Sequence, residues 1–231
     1  MKAAVMQPYF FPYIGYFQLI NAVDTFVVYD DVNFIKKGWI SRNSILVNEA
    51  PYLFTMELKE ASQNKRINEI LISDSNWRKN LVRTVALSYK KAPYFDSVFP
   101  VIEEIILDAE NNLAEFLTNA LKKICGFIGI ETEIMVSSEI DKDNTLKGAD
   151  KIKAICKRIG ASEYINAIGG MALYDRNDFS QNGIDLQFIK SKPISYAQFK
   201  NEFVPWLSII DVLMFNSPDE IKSYLDQYEL I

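Results

Sequence analysis

Lys2-Ala3-Ala4-Val5-Met6 opens the chain, runs into Gln7-Pro8-Tyr9-Phe10-Phe11-Pro12-Tyr13-Ile14-Gly15-Tyr16-Phe17, and is answered soon after by Phe26-Val27-Val28-Tyr29. The two flanking runs are short and continuously apolar, as strands buried on both faces of a parallel sheet are. Residues 15–23 between them carry helical spacing, so the segment reads as strand, helix, strand. A parallel pair joined by a helix is the repeating unit of open α/β sheets.

Outward from this unit, Ser44-Ile45-Leu46-Val47 and Tyr52-Leu53-Phe54-Thr55-Met56 flank Asn48-Glu49-Ala50-Pro51, a turn composition, and predict a hairpin. From Asn76 the period becomes helical. Trp77, Leu81, Val82, Val85 and Tyr89 share one face, and Val98, Ile102, Ile105 and Ile106 share another, ending near Asp108. Leu113, Phe116, Leu117, Ala120, Leu121, Ile124 and Cys125 form the clearest amphipathic face, with Gly126 and Gly129 at its exit. Beyond residue 131 the alternation resumes: residues 133–136 extended, 148–159 helical, 164–166 extended, 172–180 helical and 186–189 extended. Ser217-Pro218-Asp219-Glu220 is a capping box with Pro at the first helical position, and Ile221, Tyr224, Leu225 and Tyr228 are the buried face expected after it. The expected fold is an open, mostly parallel, Rossmann-like α/β sheet. Its first half, with the hairpin, spans residues 1–75, a helical insertion spans 76–130, and the second half with the C-terminal helices spans 131–231.

Composition narrows the chemistry. Of 231 residues, 25 are Lys or Arg and 30 are Asp or Glu, a net charge of −5 that disfavours nucleic acid as a partner. No apolar run reaches the roughly 18 residues of a membrane span, so a cytoplasmic protein without membrane insertion is expected. The chain has no histidine, which excludes Ser-His-Asp and Cys-His triads and His-ligated zinc. Cys125 and Cys156 fall on apolar helix faces and read as buried thiols rather than a disulfide. No metal site is assigned, and acid–base work falls to Asp, Glu, Lys, Tyr or the substrate.

The aromatic loop after the first strand lies where open α/β sheets bind ligands, beyond the carboxyl ends of strands and before a helix N-terminus. Gly15 allows close backbone approach, while Gln7, Tyr9 and Tyr16 bring polar groups that an aromatic plug of the sheet edge would not require. Lys36-Lys37-Gly38-Trp39-Ile40-Ser41-Arg42-Asn43 follows the second strand. Arg42 can grip phosphate with two parallel N–H groups, Trp39 can stack on a ring, and Asn43 can read a hydroxyl; a solvated basic loop anchored by Trp39 is the alternative. Asp30 and Asp31 suit Mg²⁺, although a surface pair ending a strand is commoner. Thr145-Leu146-Lys147-Gly148 and Asn166-Ala167-Ile168-Gly169-Gly170 would bring two more helix-entry loops, with Lys147 adding charge, to the same sheet end. Neither GxGxxG nor GxxxxGK[ST] occurs. Asp211 interrupts the apolar run 206–215 and reads either as a structural tie or as an acid–base group.

Residues 7–17, Lys37-Gly38-Trp39-Ile40-Ser41-Arg42-Asn43 and Pro205-Trp206-Leu207-Ser208-Ile209-Ile210-Asp211 together resemble the WbqC-like family across essentially the whole chain. The resemblance implies O-antigen and other surface-polysaccharide biosynthesis, with transfer of glycine to an amino sugar as the suggested reaction. Members often carry a histidine before the Gln-Pro pair, where this chain has Met6. The layout is also similar, more weakly, to the HIGH-motif nucleotidylyl transferases and pantothenate synthetase, which implies a HUP-like sheet; Tyr13 and Tyr16 stand nearest to the motif's histidines. From these resemblances follows an expected transferase or ligase joining a small acyl or aminoacyl group to the amine of a nucleotide-linked sugar through an acyl-adenylate, using ATP and Mg²⁺. Arg42, Lys147 and Tyr16 are its candidate catalytic residues. Gln7, Pro12, Gly15, Gly169 and Gly170 are the candidate cofactor contacts, and Tyr9, Asp31, Lys37, Trp39, Asn43 and Tyr174 the candidate substrate contacts. The alternatives are a carrier-dependent transferase that needs no ATP and a non-catalytic sugar-nucleotide-binding subunit.

Overall fold

The computed structural model describes residues 1–200 and 202–231. β1 (Lys2–Met6) leads through the aromatic loop into α1 (Ile14–Asn21) and back to β2 (Thr25–Val28), which pairs in parallel with β1, Ala3 opposite Thr25 and Met6 opposite Val28. β3 (Arg42–Val47) and β4 (Ala50–Thr55) make the expected hairpin. Asn48 and Glu49 turn it with φ of 49° and 67°, the left-handed pair whose twist matches the flanking strands. A short ladder of β5 (Leu58–Lys59) and β6 (Leu71–Ile72) precedes α2 (Trp77–Tyr89), α3 (Phe95–Leu107) and α4 (Leu113–Ile128). Asn112 caps α4 by accepting from the N–H groups of Ala114 and Glu115, and Gly129 ends it at φ 78°.

The second half follows as β7 (Glu133–Val136), α5 (Gly148–Ile159), β8 (Glu163–Ala167), α6 (Arg176–Gln181), β9 (Asp185–Ser191), α7 (Ile209–Phe215), α8 (Pro218–Leu225) and β10 (Tyr228–Leu230). The main sheet runs β7-β2-β1-β8-β9-β10, all neighbours parallel except the antiparallel β9–β10 pair. This is the doubly wound Rossmann order, in which the winding reverses between β1 and β8. Strand alternation divides the apolar residues between two cores. Ala4, Phe26, Val28 and Ile165 pack with α1 to α4, α7, α8 and the hairpin, whereas Ala3, Val5, Val27, Tyr164, Leu186 and Phe188 pack with Ile152, Ile155 and Phe179 of α5 and α6. At about 1.5–3 kcal/mol for each fully buried large apolar side chain, burial of both faces is the main hold on the sheet. Cys125 and Cys156 lie one in each core as free thiols, and burial pushes both up to about 12.

Two of the differences from the sequence reading have a clear local cause. Helix α6 begins at Arg176 rather than at residue 172, because the Asp175 carboxylate accepts from the N–H groups of Asn177 and Asp178 and so fixes the start. Tyr228 does not extend the face of α8: the helix stops at Leu225, and Tyr228 pairs with Ser191 as β10 closes the sheet edge.

Asp211 joins three parts of the molecule. It is fully buried in the first turn of α7, where its Oδ2 accepts from Tyr89 Oη of α2 at 2.8 Å and its Oδ1 accepts from Tyr196 Oη at 2.7 Å and Gln198 Nε2 at 2.6 Å. Tyr89 Oη in turn accepts from the Leu46 N–H of the hairpin at 2.9 Å. Burial raises the Asp211 carboxyl above its ordinary value, and the three hydrogen bonds oppose that rise. The structural tie is thus realised, to phenols and an amide. Asp211→Ala strands three buried donors and is expected to cost about 3 kcal/mol of unfolding free energy, whereas Tyr89→Phe costs about 1 kcal/mol; urea unfolding of both variants reads the difference.

Candidate functional site

A cleft of about 650 Å³ opens where β1 and β8 end, at the reversal of winding. Met6, Tyr9, Pro12, Tyr13, Gly15, Tyr16 and Leu19 form one wall, Trp39 and Asn43 a second, Ala167 and Ile168 a third, and Ile189, Lys190 and Ser191 a fourth, with Trp206 at the mouth. The aromatic loop serves as plug and as wall at once. Phe10 and Phe11 are fully buried, Phe10 packing its ring 5.4 Å from Phe54, 5.9 Å from Trp77 and 6.0 Å from Phe116. The loop's tyrosines instead line the cleft.

Backbone contacts hold this loop rigid. Asn43 Nδ2 donates to the carbonyls of Phe10 and Phe11 at 3.2 and 2.8 Å, Phe10 N–H donates to Trp39 O at 3.0 Å, and Ile209 N–H donates to Pro12 O at 2.9 Å. Three residues around the cleft adopt the left-handed region, Phe11 (φ 45°), Lys37 (φ 59°) and Trp206 (φ 63°). Such conformations cost non-glycine residues about 1–3 kcal/mol each and concentrate at ligand clamps.

The cleft is mostly apolar, with the phenols of Tyr9 and Tyr13, the Ser191 hydroxyl and Lys190 among its few polar groups. Burial raises the phenols of Tyr9 and Tyr13, with Ser191 partly offsetting the rise at Tyr13, so both remain protonated donors through neutral pH. Burial, with smaller effects of Tyr9 and Cys125, raises Tyr16 further; its Oη donates to Gln7 O at 2.8 Å, which makes it a support of the loop. Trp206, 73% exposed, faces Tyr13 with ring centroids 5.4 Å apart, and Trp39 is 51% exposed. Tyr13 lies across the start of α1: a Cβ added at Gly15 would come within 2.2 Å of its phenol oxygen. Glycine is required there for contact with a tyrosine ring of the chain itself.

The structure brings Tyr9, Pro12, Gly15, Tyr16, Trp39 and Asn43 of the sequence candidates together in the cleft wall. Arg42 stands beside it, its Cζ 5.9 Å from the centroid of the Trp39 ring, and Lys37 is exposed on the adjoining loop. Gly169 and Gly170 follow Ile168 in a 3-10 turn, with no room for a Cβ at Gly170 because Asn166 Nδ2 fills that space. Lys147 is exposed at the start of α5 and is not part of the cleft wall; Tyr174 packs on Tyr164 and Phe179 in the α5–α6 core.

Asp31 belongs to a buried ion cluster. Its Oδ2 lies 3.0 Å from Lys142 Nζ and 2.9 Å from Lys151 Nζ, its Oδ1 accepts from Ser137 Oγ at 2.7 Å, and its backbone carbonyl accepts from Lys151 at 3.0 Å. Asp30 accepts from Ser138 N–H and Asn68 Nδ2, both at 2.9 Å. The two carboxylates thus bind protein donors, and among the described residues no three His, Cys, Asp or Glu side chains gather as a metal site. Burial alone would raise Asp31, but Lys151, Ser137 and Lys142 outweigh it and hold the carboxyl below its ordinary value. Sequence reasoning missed Lys142 and Lys151, which meet only once α5 packs against the end of β2. It also missed Ser191 and Trp206 as cleft residues, and Tyr13 entered only as a positional counterpart; placement at strand ends was the available signal.

The sequence pattern of the WbqC-like protein family matches residues 7–223. The chain belongs to the WbqC-like protein family. The matched span includes every wall of the cleft except Met6. This WbqC-like protein is also 27% identical over 227 residues, 97% of each chain, to the uncharacterized protein Rv1507c of Mycobacterium tuberculosis (strain ATCC 25618 / H37Rv). No solved structure matches it. None of its described helices is long and apolar enough to cross a membrane.

Gly15→Ala is expected to push the Tyr13 ring away from α1 and from Trp206, changing tryptophan emission while stability moves by less than about 1 kcal/mol; unchanged emission would show that the ring yields without leaving Trp206. Asp31→Asn leaves two buried ammonium groups without their carboxylate and is expected to cost about 3 kcal/mol at neutral pH. Because the folded-state value of Asp31 is depressed, its contribution is present above the unfolded value near 3.8 and fades as pH falls through the folded value. The gap between wild type and variant should therefore narrow below pH 3.8, a trend that chemical unfolding across the acid range measures.

Proposed function

We propose that this WbqC-like protein is a transferase of surface-polysaccharide biosynthesis, joining a small acyl or aminoacyl group, glycine in the simplest case, to the amine of a nucleotide-linked amino sugar. The observation that carries this reading is the aromatic cleft at the β1–β8 reversal, whose rings suit the stacking of a planar base or a sugar and whose Tyr9, Tyr13 and Ser191 offer hydroxyls. The family resemblance supplies the polysaccharide context.

Amide formation asks little acid–base power of the protein. The sugar amine attacks the acyl carbon, the carbonyl oxygen gains charge, and the leaving group departs with the proton the amine releases. Tyr9 and Tyr13, kept protonated by burial, can donate to that developing oxyanion, and the rigid loop holds them in place. Tyr16, spent on Gln7, acts as a positioning residue. A donor already activated as a thioester needs no metal-bound triphosphate, and Asp30 and Asp31, the carboxylates that would hold Mg²⁺, are engaged by protein donors. We therefore favour the carrier-dependent form of the reaction over the acyl-adenylate form.

Mass spectrometry of the protein with a glycyl thioester and a panel of nucleotide-linked 4-amino sugars should show a glycylated sugar without added ATP. Tyr13→Phe should slow its formation about 10- to 100-fold with little change in apparent sugar affinity. Product that forms only with ATP, with AMP released in step, would replace this reading by the ligase one.

A further inference from the structure

Arg42 is the one partly buried arginine that the fold leaves unsatisfied. Its Nε is sealed from solvent with no hydrogen-bond partner, and no carboxylate of the described residues pairs with it. The contrast is Arg78, whose two terminal nitrogens donate to Ile106 O at 2.9 Å and Glu110 O at 2.8 Å. Nε itself is out of a ligand's reach, but the side chain is only half-buried, and none of its outer N–H groups donates to a described residue. Here the guanidinium lies by the indole of Trp39, 5.9 Å from its centroid, a contact that helps to fix the plane in which the donor fork points. Trp39 itself is cleft wall, and exposed Lys37 on the same loop adds a second positive charge nearby.

The charge distribution selects the ligand. The cleft interior is neutral and aromatic, with its one lysine paired to Glu229, while unpaired positive charge lies just outside the Trp39 wall. A ligand that uses both regions has a neutral planar ring at one end and an oxyanion at the other. We infer that Arg42, packed by Trp39, is an anion subsite that takes the diphosphate of a nucleoside diphosphate whose ring lies in the aromatic cleft. This rests on the reading of the cleft as the substrate site, and it adds where the phosphates sit and which residue grips them. Two parallel N–H groups of a guanidinium match phosphate oxygens in a way that one ammonium does not.

The test is calorimetric titration of the whole protein with uridine, thymidine and guanosine diphosphates, with the three nucleosides, and with inorganic pyrophosphate. Wild type should bind at least one diphosphate more tightly than its nucleoside, with affinity falling as salt rises. Arg42→Ala should weaken that diphosphate about 10- to 100-fold and leave the nucleoside unchanged. Arg42→Lys, which retains the charge and the bulk, should recover only part of the loss, and thermal melting of both variants checks that they fold. Undiminished diphosphate binding by Arg42→Ala overturns the inference, as does a wild type that binds none of the diphosphates. A nucleoside bound as tightly as its diphosphate overturns the anion subsite and leaves the cleft reading standing. Arg42-dependent binding of pyrophosphate with no gain from any nucleoside supports the anion subsite and overturns the cleft reading.

Discussion

A carboxylate buried in an apolar helix start ties together the elements that surround the main sheet. Asp211 would be a heavy liability alone, yet Tyr89, Tyr196 and Gln198 each direct a donor at it, and Leu46 completes the chain of hydrogen bonds through Tyr89. Gln198 exchanges further bonds with Val204, its Nε2 donating to the carbonyl and its Oε1 accepting from the N–H. Helix α2, the hairpin and the stretch that leads to Trp206 are therefore registered on one group. The cleft mouth inherits its geometry from that registration: Ser208 N–H reaches Ser44 O at 2.8 Å, and Trp206 is set against Tyr13.

Much of the fold was legible because its signals are local. Continuous apolar runs marked β1 and β2, and helical spacing marked α2 to α5 to within about three residues of their ends. The sheet order was not legible, since register and neighbour choice depend on pairing between distant segments. Strand β10 escaped notice because Tyr228 fits the i+4 spacing of α8 as well as it fits a strand, and only pairing with Ser191 decides between them. The shorter α6 turned on Asp175, whose capping role depends on a backbone turn that its composition alone does not specify.

The site was legible where the chain concentrates unusual residues and opaque where it gathers ordinary ones. The aromatic loop announced itself, yet the division of labour between its phenylalanines and tyrosines follows from which direction each ring points, a property of a strained, proline-bounded backbone. Asn43 lies in the cleft wall, with its amide nitrogen committed to two loop carbonyls. Lys142 and Lys151 drew no notice in the sequence and are among the most buried charges of the fold. Lys147 had the local context of a phosphate ligand and is exposed at the start of α5, outside the cleft wall, on a helix that packs on the sheet face opposite α1.

The walls of the cleft come from residues 6–19, 39–43, 167–168, 189–191 and 206, nearly the full span of the chain. No fragment of the protein can present this surface, so a molecule that fills it interacts with the native state and hardly at all with unfolded chains. Its binding free energy then becomes conformational stability, about 2.7 kcal/mol when the ligand stands at a hundred times its dissociation constant. The melting temperature is in that sense a reporter built into the topology, and it answers to occupancy of the cleft whatever chemistry follows.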